Sequence, residues 1–111
     1  MIRIGTDIEE LARIKKVNRD HRLAKRILSE SEYDRYQKMS QPIRQLEFLA
    51  GRFCAKEAII KALNCDVYMN QIDLCFQNDE LIWIKDQWII KVSISHTKTL
   101  AMASALAYEN H

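Results

Sequence analysis

Asp7, Glu57 and the run Ser93-Ile94-Ser95-His96-Thr97 are the side chains in this sequence whose types point most directly to chemistry. Two carboxylates from distant segments are a donor set for a hard cation, although a single pair is by itself a weak sign of a metal. Glu57 borders the apolar stripe of a helical segment, where a carboxylate is costly unless a cation or hydrogen-bond donors meet it. Lys61 follows it at the i+4 spacing, so one reading is an ordinary helix ion pair worth about 0.2–0.5 kcal/mol. Ser95 beside His96 suggests a nucleophile and its base. Adjacent strand residues point to opposite faces, however, and there is no Gly-x-Ser-x-Gly elbow. His96 at a strand end reads instead as a structural histidine or a polar contact to a ligand or to backbone.

Charge is distributed unevenly. The chain of 111 residues carries 17 Lys and Arg against 15 Asp and Glu, a formal +2. Between Arg13 and Arg26 stand seven basic residues (Arg13, Lys15, Lys16, Arg19, Arg22, Lys25, Arg26) and one acid, Asp20; that window is +6 and the remainder −4. One reading is a solvated helical face. Another is a docking surface that steers an acidic partner. A nucleic-acid surface is disfavoured, because no stacking aromatics are interleaved with the cations.

The elements that must position these groups follow from periodicity. Met1–Ile8 reads as a strand in which Gly5 permits close backbone approach. A helix is expected from Glu9 through Val17, with Glu9 and Glu10 in an acidic first turn. A short helix is expected around 23–28, and another over 32–39 with a Ser29/Glu32 capping box. The longest helix runs from Ile43 to Leu63 behind Pro42, with Leu46, Leu49, Phe53 and Ile60 as its inward stripe and Asn64 as its left-handed cap. Strands are expected over 72–76, 81–84, 88–95 and 100–108, separated in part by turns at 78–79 and 85–87. Helices first and antiparallel strands second make the class α+β, helices packed on an antiparallel sheet, in one domain spanning 1–111.

At 48% hydrophobic and 29% charged residues, the composition excludes a disordered chain. Two Gly and one Pro exclude collagen-like and linker-rich designs. Cys54, Cys65 and Cys75 match no zinc or redox spacing, and an odd set makes a poor disulfide framework. Acids at positions 7, 9 and 10 interrupt any signal-peptide core, and no apolar run reaches the roughly 18 residues of a membrane span. The expectation is a soluble, cytoplasmic protein with reduced thiols and no membrane or nucleic-acid partner.

Three blocks in order carry a resemblance: Ile4-Gly-Thr-Asp7-Ile8, then Glu47-Phe-Leu-Ala-Gly-Arg-Phe-Cys-Ala-Lys-Glu-Ala-Ile-Ile-Lys61-Ala-Leu63, then Ser93-Ile-Ser-His-Thr97. Together they resemble the holo-[acyl-carrier-protein] synthases, the small bacterial 4′-phosphopantetheinyl transferases. The resemblance implies transfer of the phosphopantetheine arm of coenzyme A to a serine of an apo-acyl carrier protein, with release of adenosine 3′,5′-bisphosphate. It implies Mg²⁺ on Asp7 and Glu57, Lys61 on the diphosphate, and Arg44, Arg52, His96 and Thr97 around the nucleotide end. Arg13, Arg22 and Arg26 would dock the acidic carrier. Glu57 and a metal-bound water remain alternative bases for the carrier serine. The family also implies a homotrimer whose sites lie between subunits, with the metal ligands and His96 of one site on different chains; a chain this short has little room for a self-contained cleft. The sequence departs from the family pattern where 64–69 lack glycine and where Lys85-Asp86-Gln87-Trp88 replaces a Gly-Lys/Arg-Pro turn. Those loops motivate a second reading, a catalytically weakened relative acting as a carrier-binding module.

Overall fold

In the computed structural model, which describes residues 1–110, five strands form one antiparallel sheet with helices on one face. The elements run β1 (Ile2–Glu10), α1 (Leu11–Val17), α2 (Arg22–Ile27), α3 (Glu30–Lys38), α4 (Pro42–Leu63), β2 (Cys75–Gln77), β3 (Glu80–Lys85), β4 (Trp88–His96) and β5 (Leu100–Glu109). Strand order is β1-β5-β4-β3-β2, so the N-terminal strand forms one edge beside the C-terminal strand. The α+β expectation holds. Among the described residues no helix is long and apolar enough to cross a membrane.

Helix α4 lies on β1 and β5 at close range because both surfaces are built of small side chains. Ala50, Cys54, Ala55, Ala58, Ile59 and Ala62 are buried on the helix, and Ala101, Ala103, Ala105 and Ala107 on β5. Gly5 completes this seam: a Cβ there would collide with the carbonyl oxygen of Ala58 and stand 2.9 Å from the amide nitrogen of Ala62. This corrects the expected stripe. Leu49 is fully buried, but Leu46, Phe53 and Ile60 are only half-buried, because the sheet contact selects the alanine face and leaves the larger residues at its flank.

Two boundaries also move. β1 continues through Glu10, which pairs with Leu100, so Glu9 and Glu10 are strand residues and α1 has no acid in its first turn. Nine consecutive pairs with β5 outweigh the local helix-start signal. The expected strand over 72–76 is displaced to Cys75–Gln77, because Met69–Gln71 forms a 3₁₀ turn and Ile72 and Leu74 are buried anchors ahead of the pairing.

Elsewhere local chemistry prevails. Ser29 and Glu32 form the capping box of α3, and Asn64 ends α4 at φ 49°. Asn78 and Asp79, both with positive φ, make the tight β2–β3 hairpin turn, and Asp86 takes φ 54° between β3 and β4. Asparagine and aspartate, with His21, thus supply the left-handed backbone in a chain with almost no glycine. The alternation of Leu100–Glu109 places alanines inward on a strand, against their helical propensity, because the sheet needs small residues there.

Candidate active site

The tight Gly5–Ala58 seam brings the end of β1 beside the last turns of α4. Lys61 Nζ donates to Asp7 Oδ1 at 2.9 Å and to the Thr6 carbonyl at 3.1 Å. The expected Lys61–Glu57 helix pair is therefore replaced by a contact across 54 residues. The Asp7 side chain is 9% exposed, and its Oδ2 is buried without a hydrogen-bond partner among the described residues.

Negative charge collects around this one ammonium. The hydrogen bond that Lys61 donates to Asp7 raises the Lys61 pKa, with the charges of Asp7, Glu57 and Glu9 adding to it. The Glu9 carboxyl is raised by burial and by the charge of Asp7, while its ion pair with Arg13 opposes the rise. The Cys54 thiol donates to the Ala101 carbonyl and is pushed up to about 12, first by burial and then by Asp7 and Glu9. Three carboxylates near one lysine leave a surplus of negative charge with a buried lone pair on Asp7. That arrangement favours a cation.

A second feature opens on the other flank of α4. A cleft of about 630 Å³ is lined by Arg44, Glu47, Phe48, Arg52, Phe76 and His96 among others. Arg44 and His96 are exposed and Arg52 is buried. The Arg52 guanidinium carbon lies 4.6 Å from the Phe48 ring centroid and 5.9 Å from that of Phe76. His96 Nδ1 stands 3.7 Å from a Glu47 carboxylate oxygen, which orients the ring along the cleft wall. Cations beside aromatic faces suit a phosphorylated nucleotide. Thr97 is placed differently. Its Oγ1 accepts from the Thr99 and Leu100 amides and closes the β4–β5 turn, and the residue borders a small hollow with Ile8 and Met102. Ser95 pairs in register with Met102 and His96 with Ala101, so the two alternate across the sheet.

Glu57 lines a third hollow of about 590 Å³ together with Arg26, Phe53, Ile60, Tyr68 and Met69. Arg13, Arg22 and Arg26 are all exposed, as are Lys15, Lys16, Arg19 and Lys25, so the basic window is a continuous solvent-facing surface on α1 and α2. It leads to the Glu57 hollow through Arg26. One chain thus joins Asp7 to Lys61 and Arg26 to Glu57, and holds Arg44, Arg52 and His96 apart in the cleft.

Sequence reasoning missed the buried group beneath Arg52. Lys56 is fully buried and donates to Glu32 Oε1, to the Ile27 carbonyl at 2.8 Å and to the Met69 carbonyl at 3.0 Å. Glu32, read only as a capping-box member, also accepts from the Leu74 amide at 3.2 Å. A signal was present: Leu49, Arg52, Lys56 and Ile59 follow i, i+3, i+7, i+10 spacing, which puts a lysine on the same face as the most buried leucine.

Comparison with known proteins places the chain in a family. A family model described as the 4′-phosphopantetheinyl transferase superfamily matches residues 3–107. A holo-[acyl-carrier-protein] synthase of Staphylococcus aureus is 40% identical over 93% of this chain and 92% of its own length. The crystal structure of a holo-(acyl-carrier-protein) synthase from Bacillus anthracis in complex with coenzyme A (3′,5′-ADP) superposes with a TM-score of 0.85 at 35% identity, covering 98% of this chain and 96% of that one. The corresponding synthase of Neisseria meningitidis gives a TM-score of 0.80 at 26% identity, over 98% and 100% of the two chains.

Proposed function

The chain belongs to the 4′-phosphopantetheinyl transferase superfamily, and on that premise we propose how its residues divide the work of a holo-[acyl-carrier-protein] synthase. The reaction is transfer of 4′-phosphopantetheine from coenzyme A to a serine of apo-acyl carrier protein. The serine oxygen bonds to the pantetheine-linked phosphorus, the bond from that phosphorus to the bridging oxygen breaks, adenosine 3′,5′-bisphosphate leaves, and the serine proton passes to a base.

The observation that carries the assignment is Asp7, with Lys61 on one carboxylate oxygen and nothing on the other, buried one. Asp7 and Glu57 fit a Mg²⁺ ion. Among the described residues no three His, Cys, Asp or Glu side chains form an all-protein cage, and Mg²⁺ typically takes one or two carboxylates and completes its shell with water and phosphate. Bound there, Mg²⁺ supplies a hard positive charge for the diphosphate oxygens of coenzyme A. Lys61, already close, adds a point charge to the same diphosphate and offsets charge developing on the leaving group. Arg44 and Arg52 take the nucleotide end in the cleft, with His96 at its wall. Thr97 acts there by holding the turn that presents His96. Arg13, Arg22 and Arg26 orient the acidic carrier so that its serine meets the Glu57 hollow, with Glu57 a candidate to receive the serine proton.

A homotrimer completes the site in this reading. Glu57 and the Arg44–Arg52–His96 set line separate hollows of one chain. In this reading a neighbouring chain brings its cleft to Asp7 and Glu57. The sheet face away from α4 offers the contact: Ile4 (72% exposed) pairs in register with Leu106 and Ile8 with Met102, all exposed. The three free cysteines fit a reducing cytoplasm.

Mass spectrometry of an apo-acyl carrier protein incubated with coenzyme A, Mg²⁺ and this protein tests the assignment. A phosphopantetheine adduct is expected, abolished by chelator and by Glu57→Ala. An adduct whose yield is indifferent to both would overturn the metal and base roles.

A further inference from the structure

Arg52 sits over the deepest charged group in the molecule, where one buried carboxylate meets two buried cations. Glu32 is a single carboxylate facing two cations, Lys56 at Oε1 and Arg52 Nε at 3.4 Å from Oε2. All three residues are buried. Lys56 is saturated: its ammonium meets Glu32 and two backbone carbonyls. Glu32 is equally full, since its two oxygens also accept the Ser29 and Leu74 amides. Arg52 is the member left short. Its Nε has no well-aligned hydrogen bond among the described residues, and its plane is held between Phe48 and Phe76. Burial lowers its pKa, and the charge of Glu32 is the leading opposing influence.

A guanidinium grips a phosphate through two parallel N–H bonds, so the direction of its fork matters as much as its charge. On Arg52's own helix the Phe48 ring offers a face but no acceptor for that fork. Glu32, from α3, holds the Nε end of a guanidinium that lines the cleft. Lys56 in turn pins Glu32 and ties it to the end of α2 and to the 3₁₀ turn at 69–71.

We infer that Glu32, locked by Lys56, is a positioning residue that aims Arg52 at the 3′-phosphate of coenzyme A and so sets the preference for coenzyme A over 3′-dephospho-coenzyme A. The inference rests on the reading of Arg52 as a nucleotide-end residue. Glu32 contacts no substrate itself. Its effect belongs in the KM for the phosphorylated nucleotide, with kcat largely retained.

Steady-state kinetics with coenzyme A and with 3′-dephospho-coenzyme A tests this on Glu32→Gln, Arg52→Ala and a double Glu32→Gln/Lys56→Met variant. The double variant removes carboxylate and ammonium together, so no lone charge is left buried if the single change prevents folding. The expected result is a KM for coenzyme A raised about tenfold in the Glu32 variants, the range for removing a supporting contact, with the KM for the dephospho form nearly unchanged. A purely structural role would raise both values together or lower kcat for both. If Arg52→Ala erases the preference while folded Glu32 variants keep it, the positioning inference is overturned and the nucleotide reading stands. If Arg52→Ala keeps the preference, the nucleotide role of Arg52 fails, and the inference with it. Isothermal titration with adenosine 3′,5′-bisphosphate against adenosine 5′-monophosphate gives the same comparison without turnover.

Discussion

Lys61 Nζ and Asp7 Oδ1 stand 2.9 Å apart although 54 residues separate them in the chain. The contact exists because β1 lies against α4 without a side chain between them at Gly5. It places an ammonium and a carboxylate together, and it leaves the second, buried Asp7 oxygen without a hydrogen-bond partner among the described residues.

Gly5→Ala should therefore damage both stability and the site. The new methyl group meets the Ala58 carbonyl and the Ala62 amide, both backbone atoms that cannot rotate away. A loss of about 1–3 kcal/mol is expected in urea unfolding. Transferase activity should fall further than stability alone explains, because Asp7 shifts relative to Lys61. A fully active, equally stable variant would show that the seam yields.

Reversing charge at Arg22 and Arg26 should raise the KM for the carrier by about tenfold or more, the range that electrostatic steering covers. The KM for coenzyme A should barely change, since neither residue lines the Arg44–Arg52–His96 cleft. The carrier effect should also shrink at high salt. Equal weakening of both substrates would move the docking surface elsewhere.

Asp73 supplies a pH-dependent contribution to stability. Hydrogen bonds from Ser29 Oγ at 2.6 Å and Ser31 Oγ at 2.7 Å hold its carboxyl below the ordinary value, so the folded state favours the ionised form. The contribution is complete above the unfolded value of 3.8 and is lost as pH falls through the depressed folded value. Because Asp73 is exposed, solvent screening limits it to about 1 kcal/mol or less. Asp73→Asn should be less stable than the parent at pH 7, and the difference should vanish near the acid transition. Urea unfolding at both pH values measures it.

The outer sheet face should control assembly. Ile4→Glu is expected to convert a trimer to monomers in light scattering while circular dichroism stays unchanged, because Ile4 makes no contribution to the core within one chain. Activity should fall with the trimer. A parent protein that is monomeric at assay concentration would overturn the shared-site reading.

Local chemistry made much of this protein legible from sequence. The Ser29/Glu32 capping box, the Asn64 cap and the turns at Asn78-Asp79 and Asp86 act over a few residues, so their geometry is written in neighbouring side chains. The three ordered blocks likewise marked the family and its reaction. What the tertiary structure decided was long-range. Whether Lys61 turns to Glu57 or Asp7 depends on how closely β1 approaches α4, and that depends on a glycine 56 positions away. The inward face of α4 has the same origin: hydrophobic periodicity favours the largest apolar residues, whereas the contact with β1 and β5 buries alanines beside Leu49 and Ile59 and leaves Leu46, Phe53 and Ile60 half-buried against the core. Glu32 and Lys56 were hidden most deeply. Each looks like an ordinary surface charge in sequence, and only the fold that removes both from water makes each the other's necessary partner.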